Sequence, residues 1–117
     1  MDRIAQIDAF FAGKPRQWVL FEAMRKSICC AYPGAEIRVM KTCISFDDPK
    51  PFCYVSLPKK KGDSGLIVTI SLKEPLLHPR ISMLVPISKT RCTAHIPLRD
   101  EKEIDEELLL LIARSRH

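Results

Sequence analysis

Residues 52–72, Phe52-Cys53-Tyr54-Val55-Ser56-Leu57-Pro58-Lys59-Lys60-Lys61-Gly62-Asp63-Ser64-Gly65-Leu66-Ile67-Val68-Thr69-Ile70-Ser71-Leu72, read as strand, loop and strand. Phe52, Tyr54 and Ser56 alternate with Cys53, Val55 and Leu57, so the first run carries apolar groups on both faces, the mark of a central position in a sheet. Pro58 to Gly65 holds the proline, glycine and charge of a loop, and Leu66 to Leu72 resumes β-branched alternation. The two runs predict a hairpin.

Upstream, Ile37 and Val39 alternate with Glu36 and Arg38, after which the apolar phase shifts by one to Met40, Ile44 and Phe46. That shift predicts a bulge or break near Lys41-Thr42. Asp47-Asp48-Pro49-Lys50-Pro51 reads as a turn. Downstream, residues 73–82 form an irregular connection with two prolines, then Met83 to Thr90 and Cys92 to Leu98 give two more strands. Pro86 and Pro97 place these nearer an edge, because proline donates nothing to a ladder.

Helical patterns flank the strands. Asp2 is a candidate cap for a short helix with Ile4, Ile7, Phe10 and Phe11 on one side, ending near Ala12 before Gly13 and Pro15. Pro15 suits the first turn of a second helix. At about 100° per residue, Leu20, Phe21, Met24, Ile28 and Ala31 share its apolar stripe. Tyr32-Pro33-Gly34 ends it. Near the C-terminus, Asp100 and Glu103 resemble a capping box, followed by a helix whose stripe is Ile104, Leu108, Leu111 and Ile112. Leu109 and Leu110 project off that stripe, which suggests a homodimer contact as one alternative.

The chain has 117 residues, 46% of them apolar and 28% charged, which fits one globular domain spanning 1–117. The longest apolar run, Leu108 to Ala113, is far short of the ~20 residues a bilayer demands, so no membrane role is expected. Residues 1–99 carry 16 Lys or Arg against 8 Asp or Glu, while residues 100–117 carry 3 against 6. The pattern is a basic sheet closed by an acidic helix. Cys29, Cys30, Cys43, Cys53 and Cys92 are odd in number, lack C-x-x-C spacing and lie in apolar stretches, which reads as buried reduced thiols. With an N-terminus unlike a secretory signal, the expected location is cytoplasmic.

No motif points to a reaction. Ser56-Leu57-Pro58-Lys59 matches S-x-x-K, but that chemistry requires a helix start, and here a proline interrupts a strand end. Walker, dinucleotide, G-x-S-x-G and H-E-x-x-H patterns are absent. His78, His95 and His117 fall in separate elements without ligand spacing, so neither metal nor cofactor is expected. The adjacent Cys29-Cys30 pair would form only a strained ring. The basic residues remain. Lys41 at the strand break, Arg80 in the irregular connection and His95 in an alternating strand are candidate ligands for a phosphate or carboxylate. Lys59, Lys60 and Lys61 on a loop tip would act as an outer guide. The expected partner is an anionic small molecule or protein; charge alone also allows non-specific nucleic-acid contact.

Several stretches resemble a bacterial domain family of unassigned function similar to the YdhG-like group, itself compared with frataxin-like iron chaperones. They are Phe11-Ala12-Gly13-Lys14-Pro15, Lys41-Thr42, Ile44-Ser45-Phe46, Phe52-x-x-Val55, Arg80, His95 and Ile104-Asp105-Glu106-Glu107-Leu108. The resemblance implies an α+β fold in which a single antiparallel sheet of about five to six strands packs the N- and C-terminal helices on one face. It also implies iron handling, which in the frataxin-like case depends on carboxylates lining the first helix and the sheet edge. This chain departs there: its long helix carries only Glu22, among Arg16, Arg25 and Lys26, and a basic face repels hard cations.

Overall fold

The computed structural model describes residues 3–116; the Asp2 cap and the terminal His117 lie outside the described residues. Helices α1 (Arg3–Phe10) and α2 (Pro15–Ala31) are joined through Gly13, whose φ of 74° lets the chain reverse. Pro15 begins α2 where a missing amide hydrogen is harmless. Leu20, Phe21, Met24 and Ile28 are its buried stripe; Ala31, expected there, is exposed in the last turn. On α1 the buried residue is Ile7, with Phe11 just beyond, whereas Ile4 is 74% exposed. Ile4, in the first turn, shares that side but lies at a surface cleft with Ile7 and Trp18.

Six strands follow: β1 (Glu36–Val39), β2 (Cys43–Asp47), β3 (Pro51–Ser56), β4 (Leu66–Leu72), β5 (Met83–Ser88) and β6 (Arg91–Leu98). They form one antiparallel sheet in the order β1-β2-β3-β4-β6-β5. The phase shift at Lys41 resolves as a full turn between two strands, and β3 is interior with β4 as its hairpin partner. β5 is an edge strand. β6 is not, because Cys92, Ala94, Ile96 and Leu98 pair with Leu72, Ile70, Val68 and Leu66. That match buries eight apolar side chains on one face, and Pro97, next to last in the strand, stands where the ladder is ending.

Alternation is strict along β4 and from Cys92 to Leu98 of β6: Leu66, Val68, Ile70 and Leu72 are buried, while Ile67, Thr69 and Ser71 are half-buried. Period two sends the first set beneath the helices and the second to the opposite face. The buried residues of α1, α2, α3 (Glu106–Ala113) and the sheet form one core. The helices therefore roof one face and leave the other open.

The capping box is present, with Asp100 and Glu103 as its members, but it opens a 3-10 turn (Glu101–Glu103) and not the final helix. α3 starts three residues later, capped by Asp105, whose carboxylate accepts from the Leu108 amide at 3.0 Å. Leu108, Leu111 and Ile112 face the core, and Ile104 is half-buried. Past α3, Arg116 pairs with Asp48 at 2.7 Å and lies 4.2 Å from the Tyr32 ring and 5.0 Å from Phe52, pinning the C-terminal segment to the β2–β3 turn. All five cysteines are free; Cys53 and Cys92 are buried, Cys29 and Cys43 half-buried, and Cys30 is exposed, contrary to the buried-thiol reading. Burial holds the Cys53 thiol far above its ordinary range, so it stays protonated and inert. Among the described residues, no helix is long and apolar enough to cross a membrane.

Candidate functional site

The open face is built by register. Arg38, Ser45, Tyr54, Thr69, His95 and Met83 stand opposite one another in sequence across β1, β2, β3, β4, β6 and β5, forming one row over the whole sheet. Ser56, Ile67 and Pro97 lie beside it toward one end, and Ser71, Thr93 and Val85 toward the other. At the β1–β2 side the row is internally satisfied. The Ser45 hydroxyl donates to Asp47, whose other oxygen is 3.3 Å from Arg38 Nε, and Ser45 is fully buried beneath them. In the middle, Tyr54, Thr69 and His95 are half-buried, and among the described residues no hydrogen bond or ion pair engages the Tyr54 hydroxyl or the His95 ring.

One end of this face carries a basic rim. Cys43 pairs with Ser56, so the β1–β2 turn holding Lys41 and the β3–β4 loop holding Lys59, Lys60 and Lys61 leave the sheet side by side. The loop is fastened at its base: Asp63 Oδ1 accepts from the Gly65 amide at 2.9 Å and the Asp63 carbonyl accepts from Gln17 Nε2 at 3.2 Å. A Cβ on Gly65 would meet the Leu98 carbonyl at 2.5 Å, so only glycine allows that approach. The lysines at the tip are exposed. α2 also begins here with no acid in its first turn, and Arg16 reaches the Arg99 carbonyl at 3.4 Å. Arg16, Arg99 and Lys102 line a cleft of about 480 Å³ beside Val19 and Leu20. Asp100 and Glu101 line the same cleft; Asp100 accepts from the Lys102 amide, and Glu103 from the amides of Arg99 and Asp100. Cationic charge is left in excess.

His95 thus falls on the open face, and Lys41, Lys59, Lys60 and Lys61 on its rim. Arg80 does not join them. Its guanidinium, 17% exposed, bonds Asp105 at 2.8 Å, the Glu103 carbonyl, and Glu107 at 3.6 Å. The acids that begin α3 and the last carbonyl of the 3-10 turn offer it a closer set of acceptors than any solvent-borne anion. Next to it, His78 Nδ1 accepts from the Arg80 amide at 3.1 Å and Nε2 lies 3.8 Å from Glu107. Arg80 is a clamp for the last helix. The Leu108 amide first, and Arg80 second, hold the Asp105 carboxyl below the usual carboxylate range.

The compact pocket of Lys41, Arg80 and His95 is therefore replaced by a row and a rim. Lys41 is four residues along from Ser45 and His95 three strands across, roughly 20 Å apart at strand spacings of ~4.8 Å and rises of ~3.4 Å. Sequence reading missed Arg38, Tyr54, Thr69, Arg16 and Arg99; the alternation of the first three was legible, but which strands align, and where the start of α2 meets the end of β6, was not. Leu110 is 62% exposed, whereas Leu109 is half-buried beside Lys26, Ser27, Cys30 and Ala31, so the two leucines do not share one free apolar face. Among the described residues, no three His, Cys, Asp or Glu side chains converge as a metal-holding group.

A family model described as a domain of unknown function (DUF5655) matches residues 7–115. No curated protein and no solved structure matches the chain.

Proposed function

We propose a function for this chain, which belongs to the DUF5655 family of domains of unknown function, as a non-catalytic module that binds an anionic ligand or partner where the open face meets its basic rim. The observation that carries this reading is the juxtaposition of Lys41 with Lys59, Lys60 and Lys61 on adjoining turns, exposed and without an acid partner among the described residues. Clustered ammonium groups of one sign raise the local concentration of an anion and speed its arrival. Ser45, bonded to Asp47 and covered, is not presented to a ligand on this face. The likeness to YdhG-like domains rests on the quoted residues, of which Lys41 and His95 fall on this surface.

Isothermal titration with inorganic polyphosphate tests the reading. Wild-type protein is expected to bind at low ionic strength and to weaken steeply between 50 and 200 mM salt, as about three or more ion contacts require. Replacing Lys59, Lys60 and Lys61 together by Glu is expected to cost at least tenfold in affinity with an unchanged thermal midpoint, because the loop tip packs against nothing. Equal affinity in the variant would overturn the assignment.

A further inference from the structure

We infer that the anion is a single-stranded nucleic acid laid across the open face, with Tyr54 and His95 stacking on bases while Lys41 and Lys59 to Lys61 meet phosphates. The inference rests on the anion reading above and names the ligand class for that surface. Tyr54 and His95 are in register on either side of Thr69, so the two rings stand two strands apart, roughly 10 Å at the usual spacing. Thr69 between them is short and leaves the gap open. Neither ring's polar atoms are engaged, and both side chains are half-buried, part of their surface open to solvent.

The surroundings match the same ligand. Ile67, Val85 and the 54%-exposed Met83 supply apolar area, and Ser56, Ser71 and Thr93 supply hydroxyls on the same face. A nucleobase has this combination, an apolar π-face and a polar edge. Base stacking on aromatic side chains is tolerant of sequence and is the common device by which an open sheet holds an unpaired strand. A duplex keeps its π-faces stacked inside the helix, where Tyr54 and His95 would have nothing to stack on. The acids facing this surface are Glu36 and Asp47, both on the β1–β2 side, and Asp47 is neutralised by Arg38. Glu36, at the end of β1–β2 away from the Lys41 turn, steers a polyanion toward the lysine rim.

Fluorescence anisotropy with fluorescein-labelled ten-nucleotide oligouridylate and oligodeoxythymidylate, a duplex of equal length, and inorganic polyphosphate by competition tests this. Wild type is expected to prefer the single strands to the duplex by at least tenfold. Tyr54→Ala and His95→Ala are each expected to weaken the single strands about tenfold and to leave polyphosphate unchanged, since stacking is lost and charge is not. Tyr54→Phe keeps the ring and is expected to keep the affinity, which holds the test open if the alanine variant folds poorly. Polyphosphate binding without oligonucleotide binding, or ring variants with wild-type oligonucleotide affinity, would overturn the nucleic-acid assignment alone and favour an acidic protein as the partner. Loss of every anion's binding would overturn the reading beneath it as well.

Discussion

Phe46→Ala is expected to remove about 3–5 kcal/mol of stability, the usual cost of truncating a buried phenylalanine. Phe46 is fully buried in β2 and stacks on Phe21 of α2 with ring centroids 5.9 Å apart; Phe21 in turn meets Phe11 at 5.2 Å. This chain of rings is what joins both N-terminal helices to the β1–β2 half of the sheet. Removing its sheet-side ring leaves a cavity that neither a helix nor a sheet can collapse around without breaking hydrogen bonds. With total stability of a small domain near 5–15 kcal/mol, the alanine variant is expected to be marginal, so Phe46→Leu, which refills most of the volume, supplies the second measurement. Urea midpoints check it. A loss under about 1 kcal/mol for Phe46→Ala would mean that the helices dock elsewhere.

Arg80→Ala is expected to destabilise by about 2 kcal/mol, the range for charge-assisted hydrogen bonds with one partner largely sequestered. Its Coulombic share is small, because Asp105 and Glu107 are about half exposed and screened by water; most of the loss comes from the Glu103 carbonyl and the Asp105 cap losing their donor. The pH dependence has a definite sign. Asp105 titrates lower folded than unfolded, so its contribution is complete above the ordinary carboxyl value of 3.8 and disappears as pH falls through the folded value. The gap between wild-type and Arg80→Ala stabilities is therefore expected to stay constant from pH 7 down to the ordinary carboxyl value of 3.8 and to narrow, without closing, below it in urea titrations, because the Glu103 carbonyl does not titrate. Polyphosphate affinity is expected to be unchanged, which separates the clamp from the binding surface; a loss of affinity without loss of stability would return Arg80 to the site.

Much of the fold was legible in local pattern. Period two in Leu66 to Leu72 and Cys92 to Leu98 specified strands, the stripe from Leu20 to Ile28 specified α2, and proline and glycine marked their ends. Strand order was less so: Pro97 argued for an edge, yet the apolar match with Leu66 to Leu72 outweighed one missing ladder donor and placed β6 inside. The capping residues misled in a similar way. Asp100-x-x-Glu103 is a true box, but Asp105, five residues on, begins a second one-turn competition for backbone amides and takes the helix. Individual candidates such as His95 and the lysine triplet were readable from residue type and turn position. Their grouping was not, because register and strand order decide which side chains share a row, and because the partners of Arg80 are 23 and 25 residues downstream.

The central claim, that an anion binds where the open face meets the basic rim, is tested most directly by residue-resolved amide NMR during titration with inorganic polyphosphate. Shifts are expected at Lys41, at Lys59 to Lys61 and along the adjoining ends of β2 and β3, with the outer surfaces of α2 and α3 silent. Shifts gathered around Lys26, Cys30 and Leu110 on the helix layer, or none at low salt, would contradict it.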